Sequence, residues 1–222
     1  MSKEENFKVG ASYTIGSYIL PGEPVMEISE KINRKVNIKI TTCDDIIDGV
    51  KQGDFSLGLI ESPLFDDELI YTKWMDDKLV VCASKPLPES LSREELKRCR
   101  LIARKKGSPT RSVITNFLET IGLSYDTFES LSEIDNPTAV IQNVKWAKPH
   151  KEYTTVGIVS QISIQYELDS GTLYKASIED KTINREFYII YKKEDQNRDY
   201  IQEIETILKN IIPQTEDDQL AS

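Results

Sequence analysis

With 222 residues, 39% of them hydrophobic, the chain is long enough to bury a sizeable core, in one large lobe or two small ones. Lys and Arg number 28 against 37 Asp and Glu, and the resulting formal charge of −9 has the wrong sign for a surface that neutralises a phosphate backbone. No window approaches the roughly 18 apolar residues of a membrane span, and the first residues, Met-Ser-Lys-Glu-Glu-Asn, hold no signal-peptide core. A cytoplasmic protein with no direct grip on nucleic acid is therefore expected.

The first element, Phe7 to Ala11, alternates apolar and small or charged residues as a strand does, and Ser12 and Thr14 then stand where a helix N-cap is expected, ahead of Ile15, Tyr18 and Ile19. Pro21 and Pro24 interrupt that helix before it resumes through Val25, Met26, Ile28 and Ile32. A second unit follows. Val36 to Ile40 alternates as a strand, Thr41 and Thr42 supply a cap with Asp45 three residues after Thr42, and Ile46, Ile47 and Val50 form the face of a helix ending near Gly53. A third strand, Phe55 to Ile60, stops at Glu61-Ser62-Pro63. Strands alternating with helices of this length call for parallel βαβ units, whose ligands lie at the carboxyl ends of the strands.

Lys78 to Ser84 is a strand of a different kind, ended by Pro86 and Pro88. Beyond it Ser92-Arg-Glu-Glu95 is a capping box, Leu101 to Ala103 a strand, and Gly107-Ser-Pro-Thr-Arg111 a polar turn into a helix carrying Val113, Ile114, Phe117, Leu118 and Ile121 and closed by Gly122. Phe128 to Leu131 reads as a strand, Asn136-Pro137 caps the next helix, Val156 to Ser160 reads as a buried strand, and a helix spans Gln161 to Leu168. Strands at Thr172 to Ala176 and Arg185 to Tyr191 precede a final amphipathic helix from Tyr200 to Ile211 and a polar tail.

The order Gly10-Ala-Ser-Tyr-Thr-Ile-Gly-Ser-Tyr-Ile-Leu-Pro21, a strand with Thr41-Thr42, and Gly53-Asp-Phe-Ser-Leu-Gly-Leu-Ile-Glu61 resembles the effector-binding domain of LysR-type transcriptional regulators. Lys78 to Leu87, the Gly107 to Arg111 turn and Gly157-Ile-Val-Ser160 before Gly171 fit the same family, so that the resemblance covers residues 6 to 212. It implies an α/β, type 2 periplasmic-binding-protein fold of two lobes, each a mostly parallel sheet flanked by helices, joined by two crossing strands. Lobe I would be 7–83 plus 192–212, lobe II 86–184, with hinges at 84–85 and 185–191 and disorder at 1–6 and 213–222. The family's N-terminal helix-turn-helix has no counterpart in these residues, so contact with DNA would need a segment that residues 1 to 6 cannot supply. The resemblance also implies a homodimer, with the faces from Ile15 to Ile28 and from Arg111 to Ile121 as candidates.

A small anionic effector is expected in the interlobe cleft. Helix N-termini offer unpaired N–H groups and a positive dipole end, and hydroxyls beside them add donors. The candidate ligand-binding residues are Ser12, Tyr13, Thr14, Thr41, Thr42, Glu61, Ser62, Ser108, Thr110, Arg111 and Gly157. Glu61 works against a multiply charged anion unless it turns away or accepts a ligand's amino or hydroxyl group, which leaves an amino acid or hydroxy acid beside sulfate. The alternative reading is a stand-alone solute-binding protein of the same fold.

No catalytic residues, cofactor or metal are expected. The single histidine, His150, lies in a polar loop without a nucleophile, and no Walker loop, His-Glu-x-x-His or dinucleotide fingerprint occurs. Cys43, Cys82 and Cys99 form no C-x-x-C pair and read as buried thiols, although Cys43 at a helix start is a candidate redox sensor. Lys145, Lys148 and Lys151 with Trp146 and Tyr153 read as a solvated, inserted loop.

Overall fold

The computed structural model describes residues 6–62 and 65–211, so the expected terminal tails and Pro63 lie outside the described residues, Asn6 apart. In chain order the elements are β1 (Phe7–Ala11), α1 (Tyr13–Tyr18), α2 (Glu23–Ile32), β2 (Val36–Ile40), α3 (Cys43–Gln52), β3 (Leu57–Ile60), β4 (Leu69–Ala83) and β5 (Ser90–Leu91). They continue with α4 (Arg93–Lys97), β6 (Cys99–Arg104), α5 (Pro109–Thr120), β7 (Ser130–Ile134), α6 (Pro137–Lys145) and β8 (Thr154–Ser160). The last are α7 (Gln165–Asp169), β9 (Tyr174–Ile178), β10 (Ile183–Lys192) and α8 (Asp199–Asn210).

The chain forms two compact units, Met1–Met75 with Glu186–Ser222, and Asp76–Arg185. The first unit thus ends earlier than the expected 7–83, because Leu79 to Cys82 of β4 pair antiparallel with Gly157 to Ser160 of β8, and Val81 to Ala83 pair with β9. β4 also begins nine residues before the expected Lys78. The run Asp76-Asp77-Lys78 looks like a strand breaker in the sequence, yet Asp77 is buried inside the strand, held by a charge partner.

In the first unit β1 lies between β2 and β3 in parallel register, Val9 opposite Ile38 and Leu57, and β3 pairs antiparallel with β10, Leu59 opposite Ile189. Phe55 packs where the backbone comes unusually near: a Cβ on Gly10 would stand 2.8 Å from its ring, and one on Gly58 would stand 2.6 Å from both Ile190 and Ile46. Glycine at these places lets the ring and two isoleucines close the layer between sheet and α3. Trp74 of β4 donates its indole N–H at 2.6 Å to the carbonyl of Leu208, which also accepts from the Ile211 N–H at the end of α8, so the tryptophan is tied to that helix end.

In the second unit β6 lies between β7 and β8, all parallel, with Leu101 opposite Leu131 and Val156. Leu79, Val81, Leu101, Ala103, Ile114, Leu118, Val156 and Ile158 share one buried cluster. Ile114 and Leu118, one helical turn apart, are the seam of α5 against it, and each buried aliphatic side chain contributes about 1.5–3 kcal/mol. Ser92 accepts from Glu95 N while the Glu95 carboxylate accepts from Ser92 N, the reciprocal cap expected from the sequence. Two elements differ from expectation. β7 starts at Ser130 because Phe128 turns into the core with Tyr125, and Gln161 to Leu168 splits into a 3-10 turn (Ile162–Ile164) and α7.

Candidate functional site

Ser12 occupies the N-cap position of α1 with extended backbone, but its side chain does not cap the helix. A carboxyl group from β3's far end does so instead: Glu61 Oε1 accepts from Ser12 Oγ at 2.9 Å and from the Thr14 backbone N–H at 3.0 Å. Glu61 is 4% exposed, and Ser12 and Thr14 are buried beside it. The turn expected to offer donors to an external anion thus already holds an acidic group of its own at the positive end of α1. Tyr13 and Ser62, on either side of this contact, are half-buried.

After β2, Thr42 caps α3 as expected, its Oγ1 accepting from Asp45 N at 3.2 Å. Thr41 Oγ1 donates to Asp45 Oδ2 at 2.7 Å. The hydrogen bonds from Thr41 and Thr42 hold the Asp45 carboxyl below the usual range. The Thr41 hydroxyl proton is therefore also engaged within the protein.

In the second unit Gly107 takes a left-handed φ of 83°, which delivers Ser108 to the N-cap of α5, where its buried Oγ accepts from Arg111 N at 3.2 Å. Thr110, buried as well, accepts from Arg185 Nη1 at 3.1 Å. Arg185 Nε donates to Asp77 Oδ2 at 2.7 Å, and Ser160 Oγ donates to Asp77 Oδ1 at 2.7 Å. This buried chain of Thr110, Arg185, Asp77 and Ser160 was absent from the sequence expectation. No local sign marks it, since Asp77 stands between Asp76 and Lys78 and Arg185 between Asn184 and Glu186.

Arg111 does not point to solvent, nor does it present itself as a free cation. It is 5% exposed, its guanidinium lies 3.3 Å from the centre of the Tyr125 ring, Nη1 donates to the Arg104 carbonyl at 2.9 Å, and Nη2 pairs with Glu133 at 3.0 Å. Gly157 sits in β8 where a Cβ would meet Val144 at 3.1 Å and Val140 at 3.3 Å, so its smallness lets α6 lie close on the strand.

The 145–153 stretch is largely exposed, Lys148 and Lys151 included, and only Lys145, the last residue of α6, departs from that among its lysines. Lys145 pairs with Glu167 at 2.9 Å, both largely covered, whereas Trp146 is 79% exposed. His150 stacks on Tyr153 with ring centres 3.8 Å apart. All three cysteines are buried, and burial pushes the Cys82 thiol up to about 12 and that of Cys99 to about 11. Among the described residues no group of three His, Cys, Asp or Glu side chains is arranged to hold a metal ion, and no helix is long and apolar enough to cross a membrane.

Two α/β units linked by strands that run from one to the other define a two-lobed fold of the type 2 periplasmic-binding-protein kind. The LysR substrate binding domain family matches residues 2–210, and the chain belongs to that family of effector-binding domains. Relatives include the HTH-type transcriptional regulator YeiE of Escherichia coli K12, 26% identical over 198 residues, which are 86% of this chain and 64% of that protein. The regulator CysL of Bacillus subtilis is 30% identical over 122 residues, 52% of this chain and 40% of that protein. The chain therefore spans less than two thirds of these relatives. The CcmR regulatory domain of Synechocystis PCC6803, solved in complex with 2-PG, shares the fold with a TM-score of 0.75 at 20% identity, covering 93% of this chain and 96% of that one. The reduced OxyR regulatory domain of Pseudomonas aeruginosa does so with a TM-score of 0.73 at 15% identity, covering 92% and 97%.

Proposed function

We propose that this chain is the effector-sensing part of a LysR-type transcriptional regulator, acting in the cytoplasm as a homodimer and answering to a small anionic molecule. The family match across residues 2–210 carries the reading, and transcriptional regulators among the relatives support it. No reaction is assigned to the chain. The effector's contacts are assigned to the turns after β1, β2 and β3 in the first unit and to the Ser108–Thr110 turn in the second.

The Glu61 contact narrows the chemistry of the effector. A carboxyl group already fixed on Ser12 and Thr14 repels a multiply charged oxyanion and accepts from an amino or hydroxyl group, so the effector is an amino acid or hydroxy acid in preference to sulfate. For the dimer, the exposed side of α2 that carries Met26, 63% exposed, is a more suitable surface than Ile15 and Ile28, which are buried in the unit's own core.

A thermal-shift screen of amino acids, hydroxy acids, dicarboxylates, aromatic acids, sulfate, phosphate and molybdate tests this reading. Loss of one contacting hydroxyl costs about 1–2 kcal/mol, or roughly tenfold in affinity, so Thr14→Ala and Thr110→Ala are expected to weaken the response to the true effector. A ligand whose stabilisation is the same in both variants would show that these turns are not its site. Sedimentation showing only monomer at tens of micromolar would remove the homodimer.

A further inference from the structure

The parallel strands β6 and β8 start side by side, Cys99 opposite Thr154, and the turn leading into α5 follows the carboxyl end of β6. Their amino ends carry a different surface, built entirely within the second unit. There the segment after β4, the end of α4 and the 147–155 stretch enclose a depression of about 320 Å³, joined by shared residues to a smaller one of about 70 Å³. Leu87 and Leu91 give the larger depression apolar lining, and Lys85, Arg98 and Lys151 stand around it.

The charge here runs against the rest of the molecule. In a chain of net charge −9, none of Lys85, Arg98 and Lys151 has an ion-pair partner among the described residues, although their neighbours elsewhere are extensively paired. Two acids share the lining: Glu95, whose carboxylate accepts from the Ser92 N–H at 2.8 Å and hydroxyl at 2.7 Å and is held ionised by them, and Glu152, so the three cations exceed the acids there by one. The Cys99 thiol is buried and donates to the Glu95 carbonyl, so it is a wall and not a nucleophile.

We propose that this depression is a second binding site, for a small organic anion whose apolar body covers Leu87 and Leu91 and whose carboxylate lies among Lys85, Arg98 and Lys151. Three cations against two carboxylates leave a positive excess around the concavity that lowers the energy of one anion there, and the apolar lining discriminates a carboxylate with a hydrocarbon body from a bare inorganic ion. The volume is at the small end for ligand pockets and suits a single ring with one acidic group. The site is separate from the Ser108–Thr110 turn because it lies at the amino ends of β6 and β8, whereas that turn follows the carboxyl end of β6.

Benzoate is a suitable probe, titrated into the full 222-residue chain while backbone amide shifts are followed by NMR, with benzyl alcohol as the uncharged analogue and chloride at matched ionic strength. Saturable shifts are expected at Lys85, Leu87, Cys99 and Thr154, with affinity at least tenfold lower for benzyl alcohol and at least tenfold lower in the Lys85→Gln, Lys151→Gln double variant, whose changes are at exposed positions. Absent or non-saturating shifts at those amides would overturn the proposal, as would saturable shifts that the double variant leaves unaltered. Saturable shifts confined to the Ser12–Thr14 or Ser108–Thr110 turns would also overturn it, while supporting the effector site.

Discussion

Arg185 and Asp77 form an ion pair at 2.7 Å in which the arginine side chain is 2% exposed and the aspartate 0%. They stand at the two places where the chain enters and leaves the second unit, which runs Asp76–Arg185. Two charges cannot be left in so dry a place without partners, and Ser160 and Thr110 take up further lone pairs and protons of the pair. The pair fastens the unit's entry strand to its exit strand and fixes Thr110 at the start of α5.

Asp77→Ala leaves the Arg185 guanidinium buried without its counter-charge, and a loss of about 3–5 kcal/mol in unfolding free energy is expected. Urea unfolding followed by circular dichroism measures it. A loss below about 1 kcal/mol would mean that water reaches the site and that the pair is not what closes the unit.

Glu61→Ala removes the acceptor of a buried hydroxyl and a buried backbone N–H at once. Leaving such donors unsatisfied costs about 1–3 kcal/mol, while Glu61→Gln keeps a carbonyl oxygen in place and is expected to cost less. The order Gln above Ala in a melting series is the checkable outcome. Equal losses for the two would show that charge, and not the hydrogen bonds, is what Glu61 supplies to α1.

Gly58→Ala drives a methyl to within 2.6 Å of the buried side chains of Ile190 and Ile46. Overpacking of this kind costs about 1–3 kcal/mol. Unaltered stability in a denaturant titration would show that the two isoleucines can turn aside.

Burial raises both the Cys82 thiol, to about 12, and the Cys99 thiol, to about 11, above the ordinary value of 9.0. Each therefore favours its neutral form in the folded chain, so its contribution to stability is complete below pH 9.0 and is lost as pH climbs through about 11 and then 12. Native protein at pH 8.5 is expected to leave both thiols unalkylated by iodoacetamide, with rapid labelling once urea is added; mass spectrometry of the digested peptides reads this out. Rapid labelling of either cysteine in the folded chain would contradict the burial argument.

Elements whose signals are local were legible in the sequence. The Thr42 cap, the Ser92–Glu95 box, the Asn136 cap and the strands at Phe7 and Val36 depend on residues within a few positions of each other, and all form where the pattern put them. What the sequence concealed depends on distant partners. Ser12 was rightly placed at a helix start, but the group that caps the helix comes from 49 positions away. The first half of β4 was hidden because a buried aspartate reads as a surface one until Arg185, 108 positions on, is known to face it. Arg111 is a similar case, since nothing near it in the chain announces the Tyr125 ring or Glu133.

The second unit is one unbroken stretch of polypeptide, whereas the first is assembled from two pieces. During synthesis every residue of the second unit has emerged before the strand that completes β3, since Leu59, paired with Ala11 on one side, meets Ile189 on the other. The order of completion is thus built into the topology: the later-encoded unit can fold while the earlier one still has an open sheet edge at β3, the kind of exposed strand that invites pairing with another chain. Residues 186–210, which bring most of β10 and all of α8 to the first unit, close that vulnerable interval.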